Sequence, residues 1–206
     1  MSANAAEEPV TVDEVITHGD AELKDVCLHF VSAGPADGEV VVLLHGFPEF
    51  WYSWRHQIVA LAGAGYRVYA LDQRGYNTSS KPPRVSDYLT DTLADDVARF
   101  LDHVGAETAT IVGHDWGAIV AWVFAVRHPA RLERLAILNV PHPVRMREGL
   151  QTLRQLRKSW YVGAFQIPVI PEKAFAARDF ALLRRTFRET TVRPDAFSEL
   201  DIQRYV

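Results

Sequence analysis

The sequence predicts an α/β fold, a mainly parallel sheet with helices on both of its faces. Three observations predict it. Short aliphatic runs alternate with stretches of helical apolar spacing, the pattern of strands joined by crossover helices. The run Val40 to Leu44 is aliphatic at every position, as a strand covered on both faces requires. Glycines at 63, 65 and 105 stand where the helical spacings end, as helix terminators should.

Taken in order, Leu23 to Ser32 is expected to add antiparallel edge strands, and Val40 to Leu44 forms the first buried strand. Trp54, Ile58 and Leu61 place Ser53 to Leu61 on a helix, and Tyr66 to Leu71 is the next strand. Leu93, Val97, Phe100, Leu101 and Val104 share one face of a helix over Leu89 to Val104. A strand at Thr108 to Val112, an apolar helix from Ala118 and a strand at Leu135 to Val140 follow. Pro141 and Pro143 then mark a boundary. Residues 1–140 hold 10 Lys and Arg against 19 Asp and Glu, whereas 141–206 hold 12 against 7 and read as helical, with one short apolar run at Ile167 to Ile170. The basic excess of the second segment, which includes Arg145, Arg184, Arg185 and Arg188, fits a solvated helical surface.

The composition narrows the functional classes. With 206 residues, 48% hydrophobic and 23% charged, the chain can bury a sizeable core. A net charge of -4 gives no general attraction to nucleic acid or acidic membranes. One cysteine, Cys27, excludes an internal disulfide, and no cysteine-histidine spacing implies a metal. The polar, acidic residues 1–14 carry no signal-peptide pattern, and the most apolar stretch, near Ala118 to Val126, is too short for a membrane span. A cytoplasmic protein without cofactor, acting on a small molecule, is the expectation.

The chemistry gathers at Gly113-His114-Asp115-Trp116-Gly117, between a strand and a helix. A sharp turn at this point strains the central residue and lifts its side chain to the carboxyl end of the sheet, where ligands bind in open α/β folds. Here that residue is Asp115. A carboxylate is ionised at neutral pH and can attack an sp3 carbon with no base to deprotonate it, leaving an alkyl ester. An ordinary capping aspartate is the plain alternative. The backbone amide of Trp116, at the helix start, and that of Phe47, in His45-Gly46-Phe47-Pro48, would supply two donors for the oxyanion formed when water cleaves the ester. Gly46 is expected to let the backbone turn, and His45 to brace the loop.

His45-Gly46-Phe47-Pro48-Glu49, Ser53-Trp54-Arg55, Asp72-Gln73-Arg74-Gly75-Tyr76 with Ser79-Ser80-Lys81-Pro82, and the Asp115 turn with His114 together resemble the epoxide hydrolase branch of the α/β-hydrolase fold. The likeness runs from about residue 20 to the end; Asn77 stands where many relatives have glycine. It implies that residues 1–140 are the N-terminal part of the hydrolase core and 141–206 the first part of a helical lid. Ser159 to Gln166 resembles the family's lid segment, in which the tyrosine at the position of Tyr161 points at the epoxide oxygen. A phenol there can protonate that oxygen as the C–O bond breaks, or else pack the lid as an interfacial aromatic. Trp160, Phe165 and Ile167 suggest an apolar epoxide.

The resemblance also implies a histidine to activate water and an acid to orient it, both after the lid. The eight histidines, at 18, 29, 45, 56, 103, 114, 128 and 142, include none there, and Leu200 to Val206 reads as an unfinished helix. The chain is therefore expected to be partial, with the acid, the histidine and a second lid tyrosine beyond Val206, and to be inactive in turnover alone. Two alternatives stay open. A haloalkane dehalogenase shares the Asp turn but needs halide donors, of which Trp116 offers one indole N–H and Phe47 none; a non-catalytic receptor on the same fold would lack the late histidine. Oligomeric state is open, a homodimer included.

Overall fold

The computed structural model describes residues 11–150, 152, 157, 167, 170–189, 191–193 and 196–206. The chain divides into two compact units, Met1–Val140 and Pro141–Val206. In the first, a short helix α1 (Val12–Val15) leads into six strands: β1 (Thr17–Glu22), β2 (Cys27–Ala33), β3 (Val40–Leu44), β4 (Arg67–Leu71), β5 (Ala109–His114) and β6 (Leu132–Leu138). They form one sheet in the order β1-β2-β4-β3-β5-β6. The pairs β1/β2 and β2/β4 are antiparallel; β3/β4, β3/β5 and β5/β6 are parallel.

Helices α2 (Arg55–Gly63), α3 (Thr90–His103) and α4 (Trp116–Arg127) connect β3 to β4, β4 to β5 and β5 to β6. Because the path from β3 to β4 runs across the sheet in the opposite sense to the two later crossovers, right-handed connections put α2 on one face and α3 with α4 on the other. The alternation of side chains along each strand follows from this. Val42, Leu44, Tyr69, Leu71 and Ile111 form one buried cluster with Val97, Phe100 and Leu101 of α3 and Val120, Ala121 and Phe124 of α4. Burial of a side chain of this kind contributes about 1.5–3 kcal/mol, so this cluster is a main source of the unit's stability.

Several boundaries differ from the sequence reading, each for a physical reason. The edge strands expected within Leu23 to Ser32 are a hairpin of β1 and β2, with Leu23 in its turn, donating from N–H to Val26 O at 2.8 Å. The apolar pattern misses β1 because Thr17, His18, Asp20 and Glu22 face solvent and Ala21 alone is buried. A 3-10 turn at Trp51–Trp54 precedes α2, which runs through Gly63; Gly65, at φ 90°, is what ends the chain's helical course. Strand β6 starts three residues before the expected Leu135 and includes the exposed charges Glu133 and Arg134. It stops at Leu138, ahead of Asn139 with φ 64°.

The second unit contains α5 (Pro143–Leu150), α6 (Ile170–Glu189) and α7 (Glu199–Arg204). Backbone angles leave the helical region from Ala177 to Phe180, so α6 is two helices joined at a kink. Leu183, Phe187 and Ile202 form its small core, packed by Phe175, Phe197, Tyr205 and Val206. Ile170 opens a helix and is not part of a strand, and α7, capped by Ser198 and Asp201, ends at Arg204, where the sequence suggested an unfinished helix through Val206. Arg145, Arg184, Arg185 and Arg188 pair with Glu148, Asp179, Glu189 and Glu199. Among the described residues, no helix is long and apolar enough to cross a membrane.

Candidate active site

Strand register assembles the site. Leu44 of β3 stands opposite Leu71 of β4 and Gly113 of β5, so the residues that follow, His45, Asp72 and His114-Asp115, emerge side by side at the carboxyl end of the sheet. The chain leaves β3 toward β4 on one side and returns to β5 on the other, which opens a crevice between the ends of β3 and β5.

Asp115 occupies that crevice at φ 51° and ψ -121°, the left-handed side of conformational space, where a residue with a Cβ is strained. It is the N-cap residue of α4, yet its side chain makes no capping hydrogen bond. Instead Asp115 Oδ1 accepts the N–H of Phe47 at 3.0 Å. The capping alternative is thereby removed: the carboxylate faces the crevice and not its own helix. Trp116 opens α4, so its N–H is one of the first-turn donors that a helix leaves without an intrahelical partner. Phe47 and Trp116, large apolar residues beside Asp115, are 42% and 44% exposed.

The glycines of both motifs are required by contact more than by backbone freedom. A Cβ on Gly46 would lie 2.4 Å from Asp115 Cβ, one on Gly113 2.5 Å from Gly117 O, and one on Gly117 2.2 Å from Leu44 O. Gly46 does not carry a positive φ; its expected turn-forming role is corrected to one of admitting the Asp115 side chain.

His45 is fully buried. Its Nδ1–H donates to Gly46 O at 2.8 Å, its Nε2 accepts the Gln73 N–H at 3.1 Å, and its own carbonyl accepts from Gln73 Nε2 at 2.5 Å. Burial holds its imidazole below the ordinary histidine range, so it stays neutral in this tautomer. Tyr76 packs edge-on against it, ring centroids 4.7 Å apart. Burial first, and then the carboxylates of Asp115 and Glu49, push the Tyr76 phenol above its usual range and keep it protonated.

Glu49 and His114 join the two motifs, and sequence reasoning missed their partnership. Glu49 Oε2 accepts from His114 Nδ1 at 3.2 Å and from Gly46 N–H at 3.4 Å, while Asn139 Nδ2 stands 3.1 Å from His114 Nε2. The hydrogen bond to Glu49 raises the His114 imidazole against the opposing effect of burial. Burial works to raise Glu49, but its hydrogen bonds to His114 and Gly46 prevail and hold it below the ordinary carboxylate range. The loop after β3 and the turn after β5 are thus tied by a charge-assisted pair. Both residues stood in the motifs; what pairs them is the adjacency of β3 and β5, which no local pattern reveals.

Behind the site, fully buried Asp72 accepts from Trp51 N–H at 2.8 Å, Asn77 Nδ2 at 2.7 Å and His29 Nδ1 at 2.6 Å. Arg74 makes a two-pronged pair with Asp96, 2.8 Å in each arm, and reaches Asp25 at 3.1 Å. These partners raise the Arg74 guanidinium further and keep it charged. Among the described residues, no group of three or more His, Cys, Asp or Glu side chains could hold a metal ion. Tyr161, Trp160 and Phe165 lie outside the described residues.

Residues 39–194 match the family model of the alpha/beta hydrolase fold. The chain is 44% identical over 181 residues to the AB hydrolase superfamily protein YfhM of Bacillus subtilis, covering 87% of this chain and 63% of that one. It is 42% identical over 172 residues to epoxide hydrolase 2 of Caenorhabditis elegans, covering 83% and 48%. The crystal structure of epoxide hydrolase A from Mycobacterium thermoresistibile superposes with a TM-score of 0.77 at 33% identity, over 92% of this chain and 69% of that one. The fold is that of an α/β-hydrolase. Within it, the chain belongs to the epoxide hydrolase family, and it spans about half to two thirds of the length of these relatives.

Proposed function

We propose that the whole protein hydrolyses an apolar epoxide to a vicinal diol through an ester on Asp115. The observation that carries this reading is the Asp115 carboxylate, strained at its turn, uncapped, and bonded through Oδ1 to Phe47 N–H. That bond commits Oδ1 and leaves Oδ2 as the attacking atom. Oδ2 displaces the ring oxygen from an epoxide carbon; the C–O bond breaks as Tyr161 donates its proton to that oxygen, and the product is an alkyl ester with a free hydroxyl. Water then adds to the carboxyl carbon. Oδ1 becomes the oxyanion, held by the amides of Phe47 and Trp116, and collapse releases the diol and restores the carboxylate.

Residues 141–206 are the first part of a helical lid in this reading, with Tyr161 as the acid. The reading also requires a histidine to activate water and an acid to orient it. His45 and His114 are engaged by Gly46 and Gln73 and by Glu49 and Asn139. In a quench within one turnover, the Asp115 peptide of the whole protein gains the mass of the epoxide, and Asp115→Ala shows no such gain. An adduct on another residue, or unchanged turnover in the variant, contradicts the reading.

A further inference from the structure

Gln73 leaves the end of β4 beside His45 at the end of β3, because Leu71 and Leu44 are partners in the register of the two strands. It is buried, and it holds His45 at two points. Its backbone N–H donates to His45 Nε2 at 3.1 Å, and its side-chain Nε2 donates to the His45 carbonyl at 2.5 Å. A carbonyl only accepts, so the Gln73 amide must present its nitrogen there. An imidazole nitrogen that faces a backbone N–H must keep its lone pair, so the single ring proton of neutral His45 sits on Nδ1. That N–H reaches the Gly46 carbonyl at 2.8 Å.

The next amide is aimed as a result. The Gly46–Phe47 peptide bond is trans, so its C=O and N–H point in opposite directions. The carbonyl is drawn toward His45 and also accepts the Glu49 N–H at 3.0 Å. Phe47 N–H is therefore directed the other way, at Asp115 Oδ1, 3.0 Å off. We propose that Gln73 is a positioning residue for the oxyanion site, aiming the Phe47 amide through His45 and the Gly46 carbonyl. The role rests on the ester mechanism proposed above and belongs to its second step. Ester formation uses Oδ2 and needs the amide only to orient the carboxylate, whereas ester hydrolysis puts negative charge on Oδ1, where a misdirected amide costs most.

Gln73→Met keeps the length of the side chain and removes its donor. The whole protein is mixed with excess styrene oxide, and the ester on the Asp115 peptide is followed by mass spectrometry from the first milliseconds into the steady state. In Gln73→Met, ester hydrolysis should slow roughly tenfold while ester formation changes by less than about threefold, so that more of Asp115 stands as ester. A merely structural loss would shrink the competent fraction and leave both rate constants as they are. Unchanged hydrolysis, or both steps slowed alike, would overturn the proposal and leave the ester mechanism standing; an adduct on a residue other than Asp115 in the wild type would overturn both. A second measurement needs no variant to fold. Nuclear magnetic resonance of the wild type with isotope-labelled histidine should show the His45 ring neutral at pH 7, with its proton on Nδ1. A proton on Nε2, or a charged ring, would overturn the proposal.

Discussion

Asp115 and Gly46 illustrate how closely two residues from distant motifs depend on each other. A methyl group on Gly46 has its nearest neighbour in Asp115 Cβ at 2.4 Å, so it must displace the carboxylate from the Phe47 amide. Gly46→Ala is expected to lower kcat roughly a hundredfold with the fold retained, since displacements of this size cost that much in rate; steady-state kinetics with circular dichroism checks both. The Glu49–His114 pair gives a pH signature. His114 is raised in the fold, so its contribution to stability is complete below its ordinary 6.5 and is lost as pH climbs through the higher folded value. Glu49 is lowered, so its contribution is complete above its ordinary 4.5 and is lost as pH falls through the lower folded value. Both operate between those values. The difference in Tm between the wild type and His114→Gln should be largest there and shrink on the alkaline side; a difference independent of pH would contradict the charged pair. The elbow and the Gly46-Phe47 loop were legible because each is a short local pattern. Glu49 with His114, 65 positions apart, and Asn139 beyond them were not, because strand order alone makes them neighbours.

At the scale of elements, Arg74 fastens the end of β4 to α3 through Asp96. Arg74→Met leaves buried Asp96 with the longer Arg99 contact at 3.4 Å in place of its two-pronged pair and should destabilise by about 3 kcal/mol, measured by urea unfolding, whereas pairing it with Asp96→Leu should recover most of that loss. A single variant as stable as wild type would show that the pair is dispensable. Buried elements were read well from the sequence: Val40 to Leu44 is β3, and Val97, Phe100 and Leu101 do face the core on α3. Half-exposed elements were not. The polar face of β1 hid it altogether, and Glu133 and Arg134 disguised the start of β6, because apolar runs report burial and not hydrogen bonding.

Across the whole molecule, the sheet ends in β1 and β6 among the described residues. Strand β6 presents exposed Ala136 and Leu138, and an uncovered edge of this kind templates association. The 206-residue chain alone should scatter light increasingly with concentration, and Ala136→Lys should reduce this; scattering unaffected by the substitution would place the contact elsewhere. The central claim is the ester on Asp115, and isotope labelling tests it most directly. The whole protein, mixed with a limiting epoxide in 18-O water for one turnover, should carry 18-O in the Asp115 peptide, because water attacks the carboxyl carbon and leaves its oxygen there. Label confined to the diol would mean that water attacks the epoxide itself, and would contradict the account.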